Sequence, residues 1–272
     1  MIPKIIHYTW FSGEPIPKHL QELMDTWKKV LPNYEFILWD AERLKEVNNT
    51  FANEAVSVKK WAFAADVVRC YAVYTYGGIY LDTDVEVLKS FDEYLNSPMF
   101  IGQENSKHEY PRIYYLTSHC FGAEKHHPFF KDCMNYYENN HFIKSYDQTL
   151  PEEIRYDMTI LPKIHAKIAI TKYGYNGCNF IKSPIKLKEG IKVYPAYYFD
   201  YPKYESLKKS ICIHRMQRSW RRIDNQAIKP DYSITNPRGK GLHWFIDTCF
   251  NKINPLLSKY FHFIIVKTSE MQ

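Results

Sequence analysis

The stretch SVKKWAFAADVVRCYAVYTYGGIYLDTDVEVL, residues 57–88, sets a long apolar segment against two glycines, a short apolar run and two carboxylates, Asp82 and Asp84. Trp61, Ala64 or Ala65, Val68, Tyr71 or Ala72 and Thr75 recur at helical spacing, so a helix is predicted over 57–76, capped by Ser57 and ended by Gly77. A strand, Ile79 to Leu81, has to follow at once. A helix turning directly into a short buried strand is the joint of an α/β fold, and open sheets of this class bind ligands outside the carboxyl ends of their strands. Asp82 and Asp84 stand at such an end.

The flanking sequence agrees. PKIIHYTW reads as an opening strand, Leu20, Leu23, Met24 and Trp27 keep helical spacing, and YEFILWD reads as a second strand. Further on, MFIGQEN is predicted as a strand, HPFFKDCMNYYENN as a helix and CNFIKSPIKLKEGIKVYPAYYF as two short strands around turns. This alternation of helix and strand points by itself to a mostly parallel sheet flanked by helices. At 272 residues and 45% hydrophobic content the chain buries a real core.

Charge is unevenly placed. The net formal charge is +6, yet residues 203–272 carry 13 Lys/Arg against 5 Asp/Glu, so the basic part is the C-terminal part. This bias suits a phosphorylated small molecule, an anionic membrane surface or nucleic acid, and no nucleic-acid module is recognisable. Six cysteines lack any CxxC or framework spacing, which fits a reducing cytosol. No signal-peptide core and no apolar run of about 18 residues is present, so a soluble cytoplasmic protein is expected. Residues 238–272 mix large apolar residues with lysines. Three readings stay open there: an amphipathic basic segment on a membrane surface, a helix packed on the body, or a dimer contact.

Paired carboxylates at a strand end suit a hard divalent cation such as Mn²⁺ or Mg²⁺, which takes one or two carboxylates and leaves positions for substrate phosphates. An isolated DxD is more often a turn. Its context here includes Asp66 and Arg69, which share one face of an otherwise apolar helix, and a buried ion pair is costly unless well satisfied. The glycine turn brings all four charges toward one crevice.

The segment FAADVVRCYAVYTYGGIYLDTDVEVL resembles the core signature of the DXD sugar transferases of glycosyltransferase family 32 and, more distantly, the catalytic domains of the clostridial glucosylating toxins. IPKIIHYTWFSGEPIP and TWKKVLPNYEFILWD resemble that family's N-terminal block as found in bacterial capsular and exopolysaccharide synthesis proteins, and the likeness returns at CIHRMQRSW. It implies a single GT-A type domain over residues 1–237, an α/β fold with a Rossmann-like mixed sheet flanked by helices, and 238–272 as a helical C-terminal segment. The implied activity is metal-dependent, retaining transfer of a hexose or N-acetylhexosamine from a nucleotide sugar, with UDP-sugars favoured, to a glycan or lipid-linked glycan acceptor in capsule synthesis. Peripheral contact with an anionic inner membrane face fits the basic end.

Carried onto this sequence, the resemblance implies that Trp10 stacks on the nucleotide base, the alternative being a core tryptophan. Asp66 and Arg69 bond the transferred sugar, and Tyr80 lies beside it. Asp82 contacts the ribose or the metal shell, Asp84 ligates the metal and His214 completes the site. Ser219, Trp220 and Arg221 or Arg222 meet the diphosphate. Two other readings compete: a nucleotide-sugar or glycan binding protein without turnover, and a phosphatase of the haloacid-dehalogenase type. The latter's motif normally opens its domain, whereas some 80 residues precede this one.

Overall fold

The computed structural model describes residues 1–107, 113–200 and 208–216. It divides into two compact units, Met1–Arg222 and Ile223–Gln272, and the second lies outside the described residues. So do Ser219, Trp220, Arg221 and the whole of the segment 238–272.

The first unit opens β1 (Ile5–Thr9), α1 (Lys18–Val30) and β2 (Glu35–Trp39), as the sequence predicts. Two short helices follow, α2 (Leu44–Val47) and α3 (Thr50–Ser57), and then α4 (Trp61–Tyr76). The single helix expected from residue 57 is therefore corrected. Ser57 closes α3 instead of capping α4, and its hydroxyl donates back to the Glu54 carbonyl. Lys59 adopts a left-handed backbone (φ 58), and the amide of Lys60 returns to the Ala55 carbonyl, which stops one helix and re-aims the next.

Helix α4 is buried on nearly every side, from Phe63 through Val73, as befits a helix apolar around its circumference. It ends where the Gly77 amide bonds the Val73 carbonyl, and β3 (Gly78–Leu81) begins immediately. After it come β4 (Val85–Val87), β5 (Met99–Lys107), β6 (Tyr114–Ala123), α5 (Pro128–Glu138), α6 (Glu152–Arg155) and α7 (Leu161–Ile168). The described chain closes with β7 (Ile185–Lys186), β8 (Ile191–Tyr194) and β9 (Cys212–His214).

Among the described residues the main sheet has seven strands in the order β2-β1-β3-β6-β5-β8-β7. Pairs β2-β1, β1-β3 and β5-β8 are parallel, while β3-β6, β6-β5 and β8-β7 are antiparallel. The sheet is thus mixed, as the family resemblance implies, because β6 runs back through its centre; the helix–strand alternation alone points to a more parallel one. With helices against it, this is a mixed α/β, Rossmann-like architecture. One core packs α4, α5 and α7 on the sheet; a second gathers Trp27, Phe91, Phe100 and Phe199. No described helix is long and apolar enough to cross a membrane.

Candidate active site

Everything chemical converges just past the carboxyl ends of β1 and β3. These strands pair in parallel with His7 opposite Tyr80, so Trp10 and Asp82 emerge at the same edge of the sheet. The Asp82 amide still bonds the His119 carbonyl of β6, and the Val85 amide then bonds the Asp82 carbonyl. That turn lies past the end of β3 and brings Asp84 round to the crevice that Asp82 faces. Strand β4 leaves the main sheet to pair with β9, which sets His214 opposite Val85, and the Arg215 amide fastens the Asp84 carbonyl. The resulting group is Asp82, Asp84 and His214, with one ligand atom from each lying within 4.8 Å of the others. His214 Nε2 is 3.4 Å from Asp84 Oδ1.

On the other side of Asp82 stands Arg69. Its guanidinium lies 3.2 Å from Asp82 Oδ1 and 3.4 Å from Asp66 Oδ1, donates to the Ser118 carbonyl at 2.6 Å and covers the Tyr80 ring. The second Asp66 oxygen accepts the Leu161 amide at 3.3 Å. Burial works against the Arg69 charge, but Asp82, Tyr80 and Asp66 more than offset it and raise its pKa further. Burial pushes Asp66 up to about 7, with Arg69 opposing. A buried ion pair of this kind is tolerated because nearly every polar atom has a partner.

Tyr80 is fully buried and stacks on Phe121, so its hydroxyl is the part that reaches the crevice. It donates to Asp82 Oδ1 at 2.8 Å, and the Thr9 hydroxyl, 3.0 Å away, is left to donate to Tyr80. Trp10 is half-exposed, outside the buried core, with its indole N–H on the Glu14 carbonyl.

Three residues join the site that sequence reasoning did not assign to it. Asp200 is 3% exposed; its Oδ2 accepts both the backbone and side-chain N–H of Asn105. Its Oδ1 is 3.9 Å from His119 Nε2 and 4.0 Å from His214 Nδ1. His119 stacks on His214 with ring centroids 4.0 Å apart and donates Nε2–H to the Phe199 carbonyl. Burial, then His214, draws the His119 pKa down to about 3. Burial also opposes the His214 charge, yet Asp84 and Asp200 hold it up to about 9. No motif in the sequence marks Asp200 or Asn105; only the return of β9 beside β4 brings them here.

Two carboxylates and an imidazole, partly open to solvent, fit a hard or borderline divalent cation such as Mg²⁺ or Mn²⁺. The spread of these donors leaves room for an ion between them, and His214 has a carboxylate behind its other nitrogen, as metal-binding histidines usually do.

Residues 17–107 match the family model described as the glycosyltransferase sugar-binding region containing DXD motif. That span, a third of the chain, is similar to the DXD sugar-binding region of glycosyltransferases. It contains Asp66, Arg69, Tyr80, Asp82 and Asp84. Inositol phosphoceramide mannosyltransferase 3 of Schizosaccharomyces pombe is 33% identical over 132 residues, covering 47% of this chain and 35% of its own length. Mannosyl phosphorylinositol ceramide synthase SUR1 of Saccharomyces cerevisiae is 30% identical over 134 residues, covering 48% and 33% respectively. The chain therefore spans about a third of these relatives. Among solved structures, PaToxG glycosyltransferase is similar at 18% identity and a TM-score of 0.42, over 63% of this chain and 69% of that one. The two fungal relatives are lipid mannosyltransferases by name, which lends no support to the capsular type expected from the sequence.

Proposed function

We propose that this chain is a metal-dependent, retaining glycosyltransferase that moves a hexosyl group from a nucleotide sugar to a hydroxyl of a glycan or lipid-linked acceptor, on the cytoplasmic side of a membrane. The observation that carries this reading is the line of charges at the carboxyl ends of parallel strands: Asp84 with His214, then Asp82, Arg69 and Asp66. Asp82, Asp84 and His214 would hold the cation, which supplies Lewis-acid neutralisation of the diphosphate. Arg69 fixes Asp82 and Asp66 in one geometry, so the donor meets a preorganised site. Asp66, whose second oxygen is tied to the Leu161 amide, faces the transferred sugar.

In the transfer, the acceptor oxygen forms a bond to the anomeric carbon. The bond from that carbon to the diphosphate oxygen breaks, and the departing oxygen takes the electron pair and then the acceptor's proton. No protein base is required. The names of the relatives favour a mannosyl group and an inositol-bearing lipid over the capsule precursor expected from sequence, and a UDP-hexose remains the alternative donor.

The test is a panel of UDP- and GDP-sugars with and without Mn²⁺, comparing the wild type with Asp84→Ala. Donor hydrolysis is expected for one sugar nucleotide, dependent on metal and reduced at least about a hundredfold in the variant. Full hydrolysis by Asp84→Ala would remove the assignment.

A further inference from the structure

Three helices of the core, α4, α5 and α7, each turn one sulfur or nitrogen donor toward the same place. The donors are Cys70, Cys133 and His165, all completely buried, and one ligand atom from each lies within 4.8 Å of the others. No CxxC or framework spacing marks them, because they come from three separate stretches of the chain.

The imidazole is held ready to accept a ligand. His165 Nδ1 lies 3.1 Å from the Thr117 carbonyl, which can only accept, so Nδ1 carries the proton and Nε2 the lone pair. Nε2 faces Cys70 Sγ at 4.0 Å, a long contact to a weak donor. One ring nitrogen fixed by a backbone carbonyl and the other aimed at a coordinating position is the usual arrangement of a metal-binding histidine. Phe121, Phe129 and Phe130 pack round the ring and keep water from it. A second polar group is stranded in the same part of the core. The Tyr137 hydroxyl is buried with no hydrogen-bond partner, and Asp66, Cys70 and Cys133 are among its electrostatic neighbours. Buried polar atoms served this poorly are costly to keep.

We propose that Cys70, Cys133 and His165 form a structural Zn²⁺ site, distinct from the metal group of the crevice. The two thiols release their protons to solvent and bind as thiolates, and the imidazole binds neutral through Nε2. Two positive charges replace two protons, so the net charge of the core is unchanged. Thiolate and imidazole donors select Zn²⁺ over Mg²⁺ or Mn²⁺, which prefer oxygen. Around a tetrahedral Zn²⁺ with bonds of about 2.0–2.3 Å such donors stand roughly 3.6–3.8 Å apart, so this set closes by about 1 Å on binding. Tyr137 is the neighbour that can take the fourth position. The ion staples α4, α5 and α7 together behind the crevice, beside Arg69 on α4 and on the helix whose first amide holds Asp66. In the metal-free chain His165 keeps the Thr117 bond, and that is the form open to protonation in acid.

The probe is Co²⁺, added while the full chain refolds from urea so that entry into a closed core does not limit binding, with excess Mg²⁺ to occupy the carboxylates. Thiolate-to-Co²⁺ charge transfer in the near ultraviolet reports sulfur ligands, which carboxylates cannot mimic. The wild type is expected to show this band at one Co²⁺ per chain, to lose it when Zn²⁺ is added, and to gain about 5 °C or more in Tm when refolded with Zn²⁺. Cys133→Ala is expected to lose both the band and the gain in Tm. Cys120→Ala, which removes an equally buried thiol outside the cluster, should keep both. Absence of the band in the wild type, or its persistence in Cys133→Ala, would overturn the site. So would a Cys70–Cys133 disulfide found by peptide mapping of the protein as purified, since the sulfurs would then be bonded to each other. The wild-type titration decides the matter even where a variant fails to refold.

Discussion

Asp200 lies between two imidazoles, yet only one of them has a use for it. His119 already donates its Nε2–H to the Phe199 carbonyl and stays neutral in its buried position. His214 instead has a carboxylate on each side: its Nδ1 faces Asp200 and its Nε2 faces Asp84. Asn105 clamps the far oxygen of Asp200 with two N–H groups, so the carboxylate cannot swing away. In the proposed site Asp200 would therefore be a positioning residue, fixing the imidazole so that Nε2 faces the place a cation would take, while His119 supports the ring face. Replacing such outer partners typically costs 10–100-fold in metal affinity. Asp200→Asn is expected to weaken Mn²⁺ binding, read by electron paramagnetic resonance, by about tenfold or more. Asp200→Glu should recover part of the loss. An unchanged Mn²⁺ affinity in Asp200→Asn would reduce this carboxylate to a packing role.

The unit α4–Gly77–Gly78–β3, with the turn that follows it, delivers all four of Asp66, Arg69, Asp82 and Asp84, and its glycine turn admits only glycine. Gly77 and Gly78 have φ of 69° and 105°, and a Cβ on Gly78 would come within 2.7 Å of the Ile5 carbonyl oxygen, backbone that cannot yield. Gly78→Ala combines backbone strain with a main-chain clash and is expected to cost about 2–4 kcal/mol in urea unfolding. A loss below about 0.5 kcal/mol would mean that the β1-β3 junction relaxes freely. This unit was legible in the sequence because helix, turn, strand and carboxylates are contiguous between residues 61 and 84. Ser57 misled because it has the chemistry of a cap, whereas the break is made by Lys59 in a conformation its residue type does not advertise. Strand β6 was not read because most of its residues are buried on both faces, so YYLTSHCFGA shows no alternation and carries polar Thr117 and His119 inside. Without β6 the sheet looked more parallel than it is. Asp200 was hidden for a related reason: its partners come from β5, β6 and β9, and no local pattern encodes a meeting of strands so far apart.

Two buried histidines away from the metal group tie the fold to pH. His7 on β1 donates Nε2–H to the Gly77 carbonyl at 2.8 Å and accepts the Trp39 indole N–H at Nδ1, so it joins β1 to the glycine turn and to β2 only while neutral. Burial, with Arg43 nearby, draws its pKa down to about 4 despite the Gly77 bond. His165 on α7 sits between the Thr117 carbonyl and Cys70, and burial, aided by Arg69, draws it down to about 3. Both folded values lie below the ordinary histidine value of about 6.5. Their contribution is therefore fully present above that value and is lost as pH falls toward about 4 for His7 and about 3 for His165, because the unfolded chain takes up protons that the native state refuses. For His7 alone, the loss between neutral pH and about pH 4.5 is about 2–3 kcal/mol, a large share of the stability of an ordinary domain. Urea midpoints measured at about pH 7.5, 6.5 and 5 should be level across the first interval and fall through the second. His7→Gln, whose amide can serve both Gly77 and Trp39, should start from a lower midpoint and fall less steeply. An equal fall in the variant would assign the acid sensitivity to other groups, and a level profile down to about pH 5 in the wild type would mean that these imidazoles titrate as they do in the unfolded chain.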